Sequence, residues 1–321
     1  MNNVRVGVLR GGPSAEYDVS LKTGQAVLAA LPEDRYEVRD IFVDRSGQWH
    51  QRGMPVEPLQ LFNQIDVFFN ALHGSYGEDG TIQELFDTHR VRYTGSSRLG
   101  SVVAMNKPLA KHVLRDRGLL HAAHRVVHAH EYTNALVGEF WRTQMQPSVV
   151  KPAWGGSSVA TAIARTPQEL GEAIERALEE GDTVLVEQYM QGREVTVAVA
   201  EGYRGEELYA FPPIEIIPTK TDFFDYDEKY AGHAKEVCPA NLGHERTQQL
   251  LEFARDVHRT LHLRDYSRSD FIIGPDGVYF LEVNTLPGLT EQSLVPQALR
   301  AVGGTLPDFL THIVERAATR V

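Results

Sequence analysis

Two neighbouring stretches near the C-terminal end of the chain carry the side chains best suited to bind a metal. Glu282 and Asn284 lie two positions apart in a run that alternates with apolar residues, so a strand would place their oxygen atoms on one face. The turn sequence Gly-Pro-Asp-Gly at 274–277 predicts a hairpin that brings Asp270 opposite Glu282. Three oxygen ligands from two strands suit Mg²⁺. The alternative is a solvated hairpin face that carries ordinary acidic residues.

A glycine-containing loop follows these ligands directly. Residues 285–290 read Thr-Leu-Pro-Gly-Leu-Thr. Glycine lets the backbone approach a ligand closely, and the N–H groups of such a loop can face a developing negative charge. This arrangement favours the metal hypothesis over the solvated face.

Three further loops combine glycine with polar residues after a predicted strand. Residues 10–16 join a strand to a helix, as in many ligand sites, although the GxGxxG pattern of dinucleotide sites is absent. Residues 73–80 lie at the strand end where open α/β sheets bind ligands. The Gly/Ser loop 153–159 follows Lys151 and is suited to wrapping phosphates, with a flexible surface loop as the alternative. Glu16, at the helix entrance, either binds a ligand or complements the helix dipole.

The apolar spacing predicts the framework that positions these loops. In the first hundred residues it follows the β-α-β rhythm of a parallel sheet. The predicted strands lie near 4–9, 37–44, 65–72, 125–128, 148–151, 183–190, 194–199 and on both sides of the turn at 274–277, and the predicted helices near 19–31, from 106, and near 167–180, 246–261 and 306–319. The irregular segment 218–239 is predicted to be a lid, because long loops in compact domains are often functional.

The composition is that of a globular protein with two or three compact units. The chain has 321 residues, 42% of them hydrophobic, and its 32 basic and 43 acidic residues give a formal charge of −11. This charge disfavours nucleic-acid binding. We find no bilayer-spanning apolar run and no signal-peptide pattern, so we predict a cytoplasmic protein that does not bind membranes. The single cysteine, Cys238, excludes an internal disulfide and a CxxC metal site.

Four histidines close in sequence have the composition of a metal cluster. They are His121, His124, His128 and His130. A strand over 125–128 would not direct these side chains to one point, so we assign no metal to them.

Seven motifs, taken together, resemble those of the D-alanine:D-alanine ligase family of the ATP-grasp superfamily, in the family's order. They are GGPSAEYDVS (11–20), HGSYGEDG (73–80), MNK (105–107), KPAWGGSSV (151–159), DYDEKY (225–230), RSD (268–270) and LEVNTLPGLTEQSLVP (281–296). The resemblance implies an α/β fold with the three-domain ATP-grasp architecture. Its N-terminal Rossmann-like parallel-sheet domain would span 1–103, a central subdomain with the Gly/Ser flap 104–187, and a C-terminal subdomain with the metal site and lid 188–321.

The resemblance also implies a role for each motif residue. The nucleotide would be ATP, accompanied by two Mg²⁺ ions for which Mn²⁺ can substitute. The metal ligands would be Asp270, Glu282 and Asn284. The ATP-binding residues would be Lys107, Lys151, Ser157, Glu187, Glu194 and Lys229. The substrate-binding residues would be His73, Ser293 and Leu294. The catalytic groups would be Glu16, Ser157, Tyr230, Arg268 and the Gly288 N–H.

The implied reaction joins two D-alanines through a D-alanyl phosphate and releases ADP and phosphate, for peptidoglycan precursor synthesis. A lid over 218–239 would keep water from this intermediate. Two alternatives are a ligase that uses D-lactate or D-serine as acceptor, and a non-catalytic nucleotide-binding regulator. Tyr230 favours an amino-acid acceptor over a hydroxy acid, and the intact metal ligands together with Arg268 argue against the regulator. A homodimer is the family expectation.

The chain departs from the commonest family pattern at a few positions. Trp154 and Gly155 replace a pair that is often more polar, Ala160 stands where glycine is usual, and Arg10 precedes the two glycines. Trp154, Gly155 and Ala160 bear on the motion of the flap and not on the reaction.

Overall fold

The computed structural model describes residues 3–144, 146–156, 160–218 and 235–320, and these form three β-sheets with helices packed against them. The α/β class is therefore confirmed. The strands are β1 (Val4–Gly11), β2 (Tyr36–Val43), β3 (Trp49–Gln51), β4 (Met54–Pro55), β5 (Val67–Asn70), β6 (His124–His128), β7 (Ser148–Pro152), β8 (Ala162–Ala164), β9 (Thr183–Gln188), β10 (Arg193–Glu201), β11 (Leu208–Ala210), β12 (Ile214–Ile217), β13 (Lys235–Val237), β14 (Tyr266–Gly274) and β15 (Gly277–Asn284). The helices are α1 (Tyr17–Ala30), α2 (Pro58–Phe62), α3 (Thr81–Thr88), α4 (Arg98–Met105), α5 (Lys107–Val113), α6 (Asn134–Thr143), α7 (Pro167–Glu179), α8 (His244–Thr260), α9 (Leu294–Ala301) and α10 (Leu306–Ala318).

The first sheet has the strand order β4-β3-β2-β1-β5. β1 pairs in parallel with both β2 and β5, which confirms the predicted parallel arrangement. β3 and β4 add an antiparallel extension that the sequence did not predict. Strands of two or three residues are too short to show an apolar alternation.

The second sheet is antiparallel, with the order β6-β9-β7-β8. Its core is shared with α6 and α7 and includes Val150, Leu170 and Ile174. The histidines near 125–128 lie on or beside β6, where the rings of His128 and His130 stack with their centroids 5.6 Å apart.

The third sheet is also antiparallel, with the order β13-β12-β10-β14-β15 and β11 beside β10. β13 corrects the prediction that 218–239 is irregular throughout. This strand was missed because it is a three-residue segment whose structure depends on pairing with β12 and not on a local pattern. Residues 219–234, which make up most of the predicted lid, lie outside the described part of the chain.

Helix α10 connects the third sheet to the first. Phe309 and Leu310 of this helix share one core with Val6 and Phe69 of the first sheet. Each predicted domain holds one sheet, and the boundaries themselves stay predictions: the first falls within α4 and the second near the end of β9. In the described residues, no helix has the length and apolar character needed to cross a membrane.

Candidate active site

The β14–β15 hairpin carries the predicted metal ligands with the predicted pairing, which is reached through a register shift between Asp270 and Phe271 that the sequence did not predict. Asp270 lies opposite Glu282, and Arg268 lies opposite Asn284. Asp270 is only 4% exposed and accepts a hydrogen bond of 2.6 Å from Thr196 Oγ1 of β10. The Arg268 guanidinium donates two more, of 3.0 and 2.9 Å, one to each oxygen of Asp270. Asp270 is therefore buried among hydrogen-bond donors and does not lie on a solvated face.

The donor set fits a hard divalent cation. Asp270, Glu282 and Asn284 all line one cavity and offer two carboxylates and one amide, which are the oxygen ligands that Mg²⁺ prefers. The chemistry of this donor set, which faces the cavity from two neighbouring strands, supports the metal assignment.

Two cavities meet at this hairpin. The central cavity has a volume of about 250 Å³ and is lined mainly by α1, the 73–80 loop, the third sheet and the loop that follows β15. The two-sheet cavity, of about 260 Å³, is lined from the second and third sheets. Every predicted site residue within the described ranges lines one or both cavities. Those that line the central cavity are Glu16, His73, Lys107, Glu194, Arg268, Asp270, Glu282, Asn284, Gly288, Ser293 and Leu294. Those that line the two-sheet cavity are Lys107, Lys151, Glu187, Glu194, Asp270 and Glu282.

The two cavities share a wall of charged residues that includes Lys107, Asp270 and Glu282. Lys107 is the first residue of α5, which begins where the Asn106 side chain accepts a hydrogen bond of 2.9 Å from the Leu109 N–H. Its Nζ lies 3.8 Å from Glu282 Oε2. A group bound in one cavity can therefore meet a group bound in the other at a wall that carries both signs of charge.

Glu16 lies between two glycine loops. It stands at the N-cap position of α1, but its side chain makes no capping hydrogen bond. A Cβ atom at Gly74 would come within 2.7 Å of Glu16 Oε2, and one at Gly156 within 2.8 Å. The positive φ of Gly74 (+71°) favours glycine there, and the Glu16 carboxylate lies against both loops at the wall of the central cavity. The ligand-binding reading of Glu16 is thereby favoured over the helix-dipole reading.

The loop that follows the metal ligands is tightly packed. A Cβ atom at Gly288 would come within 2.8 Å of Ser293 Oγ, which itself forms a 2.7 Å hydrogen bond with Thr290 Oγ1. The close packing keeps this backbone at the cavity wall. That is the position required of an N–H group that stabilises an anion.

His73 is held as a neutral side chain. Its Nε2 forms a 2.8 Å hydrogen bond with Thr23 Oγ1. Burial, with a further contribution from the positive charge of Arg268, lowers the pKa of His73 to about 4. At neutral pH this imidazole can border a substrate through hydrogen bonds without adding charge.

Glu187 lies between two lysines. Its Oε2 is 2.6 Å from Lys151 Nζ, and its Oε1 is 2.9 Å from Lys111 Nζ. Lys111 was not among the predicted site residues. Its position four residues after Lys107 on one helix face is the signal that could have found it. The assignment of Glu187 to the adenine edge stays a prediction.

Glu78 is a second residue that sequence reasoning did not single out. Its Oε2 accepts a hydrogen bond of 2.8 Å from the Gly74 N–H, and its Oε1 accepts bonds of 3.1 and 3.0 Å from Thr285 Oγ1 and the Leu286 N–H. It therefore ties the 73–80 loop to the loop after the metal ligands. Its place in that glycine loop was the available signal. Burial, and then the charge of Glu16, raise the pKa of Glu78 to about 8.

We expect this raised pKa to appear in the stability of the ligand-free protein. Because folded Glu78 keeps its proton up to about pH 8 and an unfolded glutamate loses it near pH 4.5, the free energy of unfolding should fall as pH rises between these values. One proton contributes a slope of up to ~1.4 kcal/mol per pH unit. Glu78→Gln should flatten this slope in chemical denaturation at pH 5, 6.5 and 8. An unchanged slope would contradict the assignment, and Glu84→Gln, an exposed carboxylate of α3, is the control.

Three predicted site residues, Ser157, Lys229 and Tyr230, lie outside the described residues. Trp154, at the root of the predicted flap, is 44% exposed and lines the two-sheet cavity. It is joined to α5 through a β-bridge with Asn106.

Family models and curated relatives that match this chain belong to one family of ligases. The family model described as D-ala D-ala ligase C-terminus matches residues 113–315, and the one described as D-ala D-ala ligase N-terminus matches 5–61 and 51–96. The D-alanine–D-alanine ligase of Geobacter sulfurreducens is 39% identical, with 100% of this chain and 96% of that protein covered. That of Halalkalibacterium halodurans is 37% identical, with 97% and 98% covered.

Solved structures agree with this result. The D-alanine–D-alanine ligase of Coxiella burnetii superposes with a TM-score of 0.84 at 26% identity, covering 99% of this chain and 94% of that one. A D-Ala:D-Ser ligase from Enterococcus faecalis superposes with a TM-score of 0.85 at 28% identity, covering 98% and 100%. The full-length match and the seven ordered motifs lead to one conclusion: the chain belongs to the D-alanine–D-alanine ligase family, whose members are ATP-dependent ligases of the ATP-grasp type.

Proposed function

We propose that this protein joins two D-alanines to D-alanyl-D-alanine with consumption of ATP, through a D-alanyl phosphate, for peptidoglycan precursor synthesis. The observation that carries this proposal is the wall of Lys107, Asp270 and Glu282 shared by the two cavities. A phosphate donor in the two-sheet cavity and a carboxylate in the central cavity would meet there. Phosphoryl transfer requires this kind of alignment and charge neutralisation.

In the first step the carboxylate of the first D-alanine attacks the γ-phosphorus of ATP, and ADP leaves. Glu16 would hold the ammonium of this D-alanine, with Ser157 and Tyr230 completing the contact, and the neutral His73 would border it. Lys107 and Lys151 would bind the phosphates, Lys229 would approach the transferred group, and Glu187 and Glu194 would contact adenine and ribose. These groups act mainly by positioning and by balancing charge.

In the second step the amine of the second D-alanine attacks the carbonyl carbon of the acyl phosphate. The tetrahedral oxyanion then expels phosphate, and the amine loses its proton. Arg268 and the Gly288 N–H would stabilise the oxyanion, and Ser293 and Leu294 would meet the carboxylate of the second substrate. Arg268 suits this role because Asp270 fixes the plane of its guanidinium.

The family implies dependence on a divalent metal, and we propose two Mg²⁺ ions held by Asp270, Glu282 and Asn284, with Mn²⁺ as a substitute. The metal would supply neutralisation of phosphate charge. We further propose a homodimer that works in the cytoplasm, where both substrates are present.

A competition experiment tests the acceptor. The protein is supplied with ATP, Mg²⁺, D-alanine, D-lactate and D-serine from pH 6 to 9, and the products are measured by mass spectrometry. We expect D-alanyl-D-alanine almost exclusively at pH 8. Its yield should rise with pH, because the ammonium group of the acceptor D-alanine must lose its proton before it can attack.

Other products would change the assignment. A dominant D-alanyl-D-lactate or D-alanyl-D-serine at pH 8 would overturn the D-alanine acceptor and leave the ligase reaction standing. Absence of ATP consumption with every acceptor would favour the non-catalytic regulator. L-alanine in place of D-alanine is the matched control.

A further inference from the structure

Lys111 is a buried cation that none of the proposed catalytic steps uses. It is 2% exposed and lies on α5, four residues after Lys107. Its Nζ contacts two other elements: Glu187 Oε1 of β9 at 2.9 Å and the Phe280 carbonyl oxygen of β15 at 3.1 Å. A lysine is rarely buried this deeply without a specific ionic partner. The burial of Lys111 is therefore best explained by its ion pair with Glu187.

The carboxylate of Glu187 is divided between two cations. Its other oxygen, Oε2, lies 2.6 Å from Lys151 Nζ, and Glu187 is itself 3% exposed. Burial alone would raise the pKa of Glu187, but Lys111 and then Lys151 lower it to about 2. Glu187 is therefore ionised at every physiological pH.

The balance of charge in this group of three decides what Lys151 can do. Two cations and one anion leave one net positive charge. Lys151 lines the two-sheet cavity, and Lys111 is not among the residues that line it. Of these two lysines, Lys151 is therefore the one whose positive charge faces the cavity. Without Lys111, Glu187 would neutralise Lys151 fully, and a phosphate would meet a neutral ion pair in place of a cation.

We propose that Lys111 is a positioning residue for nucleotide binding, which engages one oxygen of Glu187 so that the charge of Lys151 remains available to the phosphates of ATP. This inference rests on the proposed assignment of Lys151 to those phosphates. Through the Phe280 carbonyl, Lys111 also links α5 to the strand that carries Glu282 two residues later. The same contact thus holds α5 against β15.

Charge rescue separates this role from simple packing. Lys111→Met keeps the volume of the side chain and removes the charge, and we expect it to weaken binding of Mg²⁺ with a non-hydrolysable ATP analogue, measured by calorimetry, by about tenfold or more. The KM for ATP should rise while the KM for D-alanine changes little. In the double variant Lys111→Met/Glu187→Gln one net positive charge returns. Because Glu187 is itself assigned to the adenine edge, the double variant is compared with Glu187→Gln alone, and without this carboxylate the loss of Lys111 should weaken nucleotide binding by less than about threefold.

The outcomes distinguish this inference from the proposed function. If Lys151→Met leaves nucleotide affinity unchanged, the phosphate assignment itself fails. If Lys151→Met weakens binding and Lys111→Met does not, the inference alone is wrong. If Lys111→Met weakens nucleotide binding as much in the Glu187→Gln background as in the wild-type protein, Lys111 has a packing role and the inference is overturned. Arg117→Met, the same loss of charge at an exposed position, is the control and should bind as wild type does.

Discussion

Glu282→Gln should abolish turnover, with kcat lowered by about 10³-fold or more, while the protein remains folded. The change keeps the shape of the side chain and one oxygen ligand but removes a negative charge at the wall shared by both cavities. Metal-ion neutralisation of phosphoryl charge supplies several kcal/mol to such reactions. The loss of one bridging charge should therefore remove much of that stabilisation.

Phosphate release at increasing Mg²⁺ concentration measures this effect, and Mn²⁺ binding followed by electron paramagnetic resonance provides a readout that does not depend on activity. Binding of Mn²⁺ should weaken in the variant. Asp276→Asn removes a carboxylate from the exposed turn of the same hairpin and should leave both measurements unchanged. Near wild-type rates for Glu282→Gln at saturating Mg²⁺ would overturn the metal assignment.

Arg268→Met should lower kcat by about 10²- to 10³-fold, the range found when a donor to an oxyanion is removed. The substitution also takes two hydrogen bonds from Asp270, which keeps the bond from Thr196 Oγ1. Arg268→Lys restores the charge but not the planar fork, so we expect only partial recovery. Single-turnover measurements separate the two steps, and the loss should be greatest in peptide formation from the acyl phosphate.

The pKa of His73 provides an independent measure of the positive charge at position 268. The positive charge of Arg268 is one of the causes that lower the pKa of His73, after burial. The pKa of His73, followed by NMR in the folded protein, should therefore rise in Arg268→Met and less so in Arg268→Lys. Full activity of Arg268→Met would remove this residue from the reaction.

Local patterns in the sequence predicted the metal-site hairpin but not the register shift within it. The turn at 274–277 predicted the hairpin, and the predicted pairing of Asp270 with Glu282 is confirmed. The register that continues from the turn, in which Phe271 pairs with Phe280, would place Asp270 opposite Leu281, and a register shift between Asp270 and Phe271 brings it opposite Glu282. The predicted features depend on residues close in sequence, and strand periodicity and turn chemistry report on such neighbours directly. The same patterns did not predict β13, because its three residues do not encode its pairing with β12.

The sequence by itself determined the fold class, the family and a set of site residues that, within the described ranges, all line the two cavities, because strand and helix periods and ordered motifs are properties of the chain. The tertiary structure alone decided how those groups share charge. Lys111 reaches Phe280 across 169 positions, and Glu78 reaches Leu286 across 208. Contacts over such distances arise from the packing of whole sheets, which no local spacing encodes. The division of Glu187 between two lysines, and the raised pKa of Glu78 beside Glu16, follow from that packing.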